Sequence, residues 1–115
     1  MKNNKILFCL LALFAFSHVA VAQKKKETVT IKTSAQCDMC KKRIEETVLS
    51  VSGVKSGALT VATAELKVVY LTAKTNVDAI RNTISMMGYD ADQVKADHAA
   101  YHKLPPCCQK PGHQH

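Results

Sequence analysis

Tryptophan is absent from this 115-residue chain, Phe and Tyr together number six, and the basic residues are spread along the sequence. A platform or groove for nucleic acid needs aromatics interleaved with a basic patch, so nucleic-acid binding is set aside. Apolar runs are short as well: none reaches the roughly 20 residues that a membrane-spanning helix requires. Prolines are confined to positions 105, 106 and 111, which leaves the rest of the chain free of that constraint. A chain of this length holds one small domain and no second sizeable core.

What is present begins with an export pattern. Met1 to Lys5 is positively charged, Ile6 to Phe16 is apolar, and Ala20-Val21-Ala22 supplies small residues at a cleavage position. Residues 1–22 are therefore expected to be a signal peptide and residues 23–26 a linker, with Cys9 discarded with the signal. Removing Lys2 and Lys5 lowers Lys+Arg from 16 to 14 against 9 Asp+Glu, and the formal charge from +7 to +5. The expected product is soluble, exported and not membrane-associated: periplasmic in a Gram-negative cell, extracellular otherwise.

Hydrophobic periodicity then assigns the elements. Glu27 to Thr33 alternates as a half-buried strand does, with Val29 and Ile31 on one face. From Cys40 the period changes, and Cys40, Ile44, Val48 and Val51 share a helical stripe that Asp38 can cap and Gly53 can close. Val54 to Ala62 and Glu65 to Leu71 read as a hairpin joined at Thr63-Ala64. Val77, Ile80, Ile84 and Met87 form a second helical stripe, with Thr75 or Asn76 at its start and Gly88 at its end. A final strand is expected from Tyr89 to about Lys95.

This order is that of an α+β, ferredoxin-like βαββαβ sandwich, in which two helices lie on one face of a four-stranded antiparallel sheet. The domain is expected over residues 27–96, with a Cys/His-rich C-terminal tail at 97–115 whose first part, Asp97 to Lys103, can form a turn or two of helix. A domain of this size is near the lower limit for a self-sufficient core.

The chemistry concentrates on four cysteines, Cys37, Cys40, Cys107 and Cys108. Cys37-Asp38-Met39-Cys40 lies where the first strand hands over to the first helix. Free N–H groups, the helix dipole and the neighbouring Lys41, Lys42 and Arg43 all favour thiolate near neutral pH. Two soft thiolates without a fixed third ligand suit an ion of low coordination number, Cu(I) first and Hg(II) next, whereas Zn(II) requires two more ligands.

Three features together resemble the heavy-metal-associated domain family: the C-x-x-C after the first strand, Val51-Ser52-Gly53-Val54 after the first helix, and Met87-Gly88-Tyr89 after the second. The resemblance covers residues 27–96. It implies that Cys37 and Cys40 bind the metal, that Tyr89 lies close behind the site, and that a metal-transporting ATPase or another metal-handling protein is a partner. No catalysis is implied. One departure stands out: where the family has G-M-x-C, this chain has Ser34-Ala35-Gln36-Cys37, so the Met that packs under the loop is missing.

In the tail, His98 and His102 are four apart, Cys107 and Cys108 are adjacent, and His113 and His115 follow. All six are further candidate ligands, and the competing reading is a solvated tail with incidental or cross-linked thiols. Tyr101 to Cys108 also resembles the ending of similar exported proteins. Thiol redox chemistry is the rival from another class, weakened because every proline lies in the tail, whereas a thioredoxin-like enzyme sets one beside its cysteines. A Cys37–Cys40 disulfide alone closes too small a loop to restrain the unfolded chain much. Lys41, Lys42 and Arg43 read as a solvated face, since Lys41 with Glu45 and Lys42 with Glu46 have helical i,i+4 spacing. Met86 and Met87 read as core and rim.

Overall fold

The computed structural model describes residues 25–111. The export signal at 1–22 and the candidate ligands His113 and His115 lie outside the described residues. The elements are β1 (Lys26–Lys32), α1 (Asp38–Leu49), β2 (Val54–Thr60), β3 (Glu65–Leu71), α2 (Val77–Met86), α3 (His98–His102) and a 3-10 turn at Pro106–Cys108. β3 is the central strand of an antiparallel sheet ordered β1-β3-β2. β1 takes in Lys26, at the edge of the expected linker.

Period-two alternation puts Leu66, Val68 and Tyr70 of β3 on one buried face, with Ile31 opposite Leu66 on β1 and Leu59 opposite it on β2. The helical stripes meet that face: Cys40, Ile44 and Val48 of α1 and Ile80 and Ile84 of α2 join Ile31, Leu66 and Val68 in one buried cluster. Both helices and the antiparallel sheet thus form the expected α+β arrangement.

The fourth strand is a correction. Among the described residues the sheet has three strands, and the segment after Tyr89 contributes isolated bridges, Ala91 to Thr33 and Ala91 to Val94. Asp92 explains the break. Its backbone is left-handed at φ 52°, and the chain turns back on itself through paired Ala91–Val94 backbone hydrogen bonds. The Asp92 carboxylate, not a neighbouring strand, accepts the Lys32 N–H, and it also accepts from Arg81 of α2. Asp at 90 and 92 is poor strand material in any case.

α2 starts at Asn76, whose side chain accepts from the Ala79 N–H at 2.9 Å. It ends in a Schellman motif: Gly88 N–H donates to Ser85 C=O and Tyr89 N–H to Ile84 C=O. Gly88 takes φ 105°, and a Cβ there would stand 2.9 Å from the Ala100 backbone. A glycine is therefore required twice over, for the turn and for the close approach of α3. The turn sends Tyr89 into the core, fully buried.

Residues 97–110 pack onto the rest of the fold. Asp97 caps α3 by accepting from Ala100 N–H, Leu104 and Cys108 belong to the same buried cluster as the helices, and Tyr101 packs against it. The Tyr101 hydroxyl accepts from Lys110 N–H at 2.8 Å, and the Lys110 ammonium pairs with Asp90. The segment forms a strap, held at both ends.

Candidate metal centre

Cys37 is the N-cap of α1, with extended backbone and no side-chain cap hydrogen bond, while Asp38, the expected cap, is the first helical residue. Cys40 follows one turn on, in the buried stripe. Their sulfurs lie 3.2 Å apart, beyond the roughly 2.05 Å of a disulfide, and the four described cysteines are free thiols.

The 3-10 turn brings Cys107 and Cys108 to the same place. From Cys37 Sγ it is 3.6 Å to Cys107 Sγ and 3.8 Å to Cys108 Sγ. The sulfurs of Cys37, Cys40 and Cys108 all lie within 4.8 Å of one another. Cys108 is 1% exposed, Cys37 is half-buried, and Cys107 is exposed, with its sulfur 3.9 Å from that of Met39. The thiols thus run from buried to solvent-facing, with Cys37 between.

Electrostatics separate them. Burial pushes the Cys37 thiol up, but hydrogen bonds from the Cys40 backbone and from the Cys40, Cys107 and Cys108 thiols outweigh it and bring the pKa down to about 7. Burial, joined by hydrogen bonding to Cys40, pushes the Cys108 thiol strongly upward. Cys37 therefore ionises readily near neutral pH, whereas the buried Cys108 thiol holds its proton more tightly.

Tyr89 closes the site from inside. Its hydroxyl is buried and makes no hydrogen bond. The polar groups that act on it are the thiols of Cys108 and Cys40, and burial, joined by these thiols, raises its pKa well above the usual tyrosine range.

Of the remaining candidates, His98 and His102 come together on exposed α3 with Nε2 atoms 3.1 Å apart. They line a groove of about 410 Å³ with Asp90, Lys95, Ala96, Tyr101 and Lys110, which contains none of the cysteines. Lys41 is tied to Glu45 at 3.2 Å and to the Leu59 carbonyl at 3.0 Å, which joins α1 to β2, while Lys42 and Arg43 are exposed. Met86 is exposed and Met87 packs against the core. Ala35, where the loop lacks Met, is buried and belongs to the same core cluster as Leu104 and Cys108 of the strap. Sequence reading missed that packing, although Tyr101 and Leu104 at i,i+3 before two prolines carried a signal for it.

These features define a class: a small α+β domain that presents a C-x-x-C thiol pair at the start of its first helix. The model of the heavy-metal-associated domain matches residues 29–90, and the chain belongs to that family. Among solved structures, it is similar to oxidized MerP from Ralstonia metallidurans CH34, at 25% identity and TM-score 0.57 over 59% of this chain and 96% of that one. A CopZ metallochaperone shares the fold at 23% identity and TM-score 0.55, covering 56% and 98% of the two chains. The water-soluble region of the P-type ATPase CopA from Bacillus subtilis is 27% identical, TM-score 0.56, over 60% of this chain and 46% of that one. No curated protein matches the sequence.

Proposed function

We propose that the chain is an exported binding protein, not an enzyme, that captures a soft metal ion through Cys37 and Cys40 and passes it on or holds it. The observation that carries this reading is the pair of sulfurs 3.2 Å apart at the start of α1, where the Cys37 thiol is brought down to about 7 by its hydrogen bonds. Thiolates alone, without a hard oxygen donor, favour Cu(I), with Hg(II) and Zn(II) as the competing cargoes.

Delivery proceeds by ligand exchange. An incoming partner thiolate adds to the bound ion, Cys37 leaves first as the more exposed ligand, and Cys40 leaves as a second partner thiolate arrives. Free metal is never released. Likeness to a metallochaperone and to the soluble region of a P-type ATPase supports a metal-transporting ATPase, or another metal-handling protein, as that partner. Export rests on the charged, apolar and small-residue pattern of residues 1–22.

A competition titration of the reduced protein against a strong Cu(I) chelator tests the reading. One tightly held Cu(I) per chain is expected, lost in the Cys37→Ser, Cys40→Ser double variant, with Hg(II) and Zn(II) ranked in the same assay. Equal affinity in both proteins would remove the site, and turnover of model disulfides by the metal-free protein would favour thiol redox chemistry.

A further inference from the structure

We infer that Cys108 is a third ligand of the captured ion and that the Tyr89 hydroxyl is the hydrogen-bond donor held ready for its thiolate. This rests on the reading that the Cys37–Cys40 pair takes a soft ion, and adds to it a ligand from the far end of the chain.

Geometry supports the ligand set. Three sulfurs at about 2.3 Å from a common centre, trigonal and coplanar, stand about 4 Å from one another. Cys37 lies 3.2 Å from Cys40 and 3.8 Å from Cys108, and all three fit within 4.8 Å, so little movement converts the cluster into a trigonal site. Cys108 is also held in position. Its N–H donates to Pro105 C=O at 2.8 Å, Leu104 is buried just ahead of it, and the Lys110–Asp90 pair fixes the chain just behind.

Tyr89 is the independent observation. A buried cysteine by itself is well explained as a small apolar core residue. That explanation leaves a fully enclosed tyrosine hydroxyl with no well-formed hydrogen bond, its interacting groups being the neutral thiols of Cys108 and Cys40, weak acceptors that leave a buried donor poorly satisfied. A thiolate accepts a hydrogen bond far better than a neutral thiol, so deprotonation of Cys108 by an incoming ion satisfies both groups together. In the balance, the Cys108 thiol gives its proton to solvent, the sulfur gains one bond to the metal, and no electron is transferred.

The consequence is retention. In a two-thiolate site the third coordination position is open to a partner's thiolate; here a buried residue of the same chain fills it, and exchange must displace Cys37 or wait for the strap to move.

X-ray absorption on the Cu(I)-loaded full chain, with Cys9→Ser throughout so that Cys9 supplies no thiolate, counts the sulfur neighbours. Three are expected, two in Cys108→Ser, and still three in the Met39→Leu, Cys107→Ser double variant, which assigns the third sulfur to Cys108 even if Cys108→Ser fails to fold. Chelator extraction is expected to be at least tenfold faster from Cys108→Ser. For Tyr89→Phe the count should remain three and affinity fall by about 10–100-fold, the range for losing a support behind a metal ligand. Two sulfurs in the full chain overturns the inference and leaves the proposed function standing, whereas a chain that holds no Cu(I) overturns the proposed function itself.

Discussion

The sulfur of Cys108 stands 3.8 Å from that of Cys37, although 71 positions separate them in sequence. A contact of that span survives only if the intervening structure fixes both ends. β1 and α1 place Cys37, and the Schellman turn at Gly88, the cap at Asp97 and the buried Leu104 place Cys108. The strap packs on the domain through these anchors, which is the ground for expecting it to add to the domain's stability.

Cutting the chain after Ala96 is therefore expected to lower the thermal midpoint of the metal-free protein. Leu104→Ala alone should cost about 2–5 kcal/mol, as for other large-to-small changes at buried leucines. In a domain of this size that corresponds to a fall of roughly 10 °C or more, read by circular dichroism. An unchanged midpoint in both proteins would show that the strap rests on the domain without supporting it.

Much of this was legible in the sequence, for identifiable reasons. The stripes Cys40-Ile44-Val48 and Ile80-Ile84 and the alternation Leu66-Val68-Tyr70 repeat at helical and strand periods, so the elements and their buried faces follow from spacing. The C-x-x-C pair could be placed because a strand-to-helix junction is local. What periodicity does not record is long-range pairing. Asp92 ended the fourth strand through a left-handed residue and a side-chain hydrogen bond to Lys32, and the tail's position depended on single anchors, Leu104 and the Lys110–Asp90 pair, that have no repeat to detect.

Gly88→Ala is expected to destabilise the fold by more than about 1 kcal/mol, because φ 105° disfavours any side chain and the new Cβ meets the Ala100 backbone at 2.9 Å. Gly57→Ala is the control, since its Cβ meets only side chains at 3.5 Å or more. Urea unfolding compares the two. A displaced α3 also draws Cys108 away from Cys37, so Gly88→Ala should weaken Cu(I) binding while Gly57→Ala leaves it unchanged.

The strap's anchor has a pH signature. Burial pushes the Asp90 carboxyl up, but the Lys110 ammonium and the Ala96 N–H outweigh it and hold the group below its ordinary value. A carboxyl depressed in the folded state stabilises the fold above its unfolded pKa, about 3.9, and the contribution fades as pH falls through the lower folded value. Asp90→Asn keeps an acceptor for Ala96 N–H and removes the charge. Its stability should trail that of the parent at neutral pH and converge with it under acid, measured by urea midpoints across pH; parallel curves would exclude the ion pair as an anchor.

Cys37 should alkylate first in the metal-free, reduced protein, with a rate that rises to a plateau around a midpoint of about pH 7, as its lowered pKa requires. Mass mapping after brief iodoacetamide treatment identifies the modified residue. A Cys37 midpoint near the ordinary 8.5 would mean that the surrounding thiols and the Cys40 backbone do not stabilise its charge.

Cys107 is the exposed member of the cluster, 3.6 Å from Cys37 and 3.9 Å from both Cys108 and Met39. It is the solvent-facing member of the cluster, whereas Cys37 is half-buried and Cys40 and Cys108 are buried, so it is open to an approaching partner. When an incoming thiolate displaces Cys37, the ion needs a neighbouring sulfur to keep its coordination number during the exchange, and Cys107 is already within reach. Its contribution therefore belongs to the exchange pathway more than to the resting complex. Cys107→Ser is expected to leave the equilibrium affinity for Cu(I) nearly unchanged while slowing transfer to a dithiol acceptor several-fold, measured by stopped-flow mixing of loaded protein with excess acceptor. Cys108→Ser should show the opposite pattern, with weaker binding and faster transfer. If Cys107→Ser instead loses affinity as much as Cys108→Ser does, the two cysteines act as equal ligands, and the division between a holding thiol and an exchanging thiol fails.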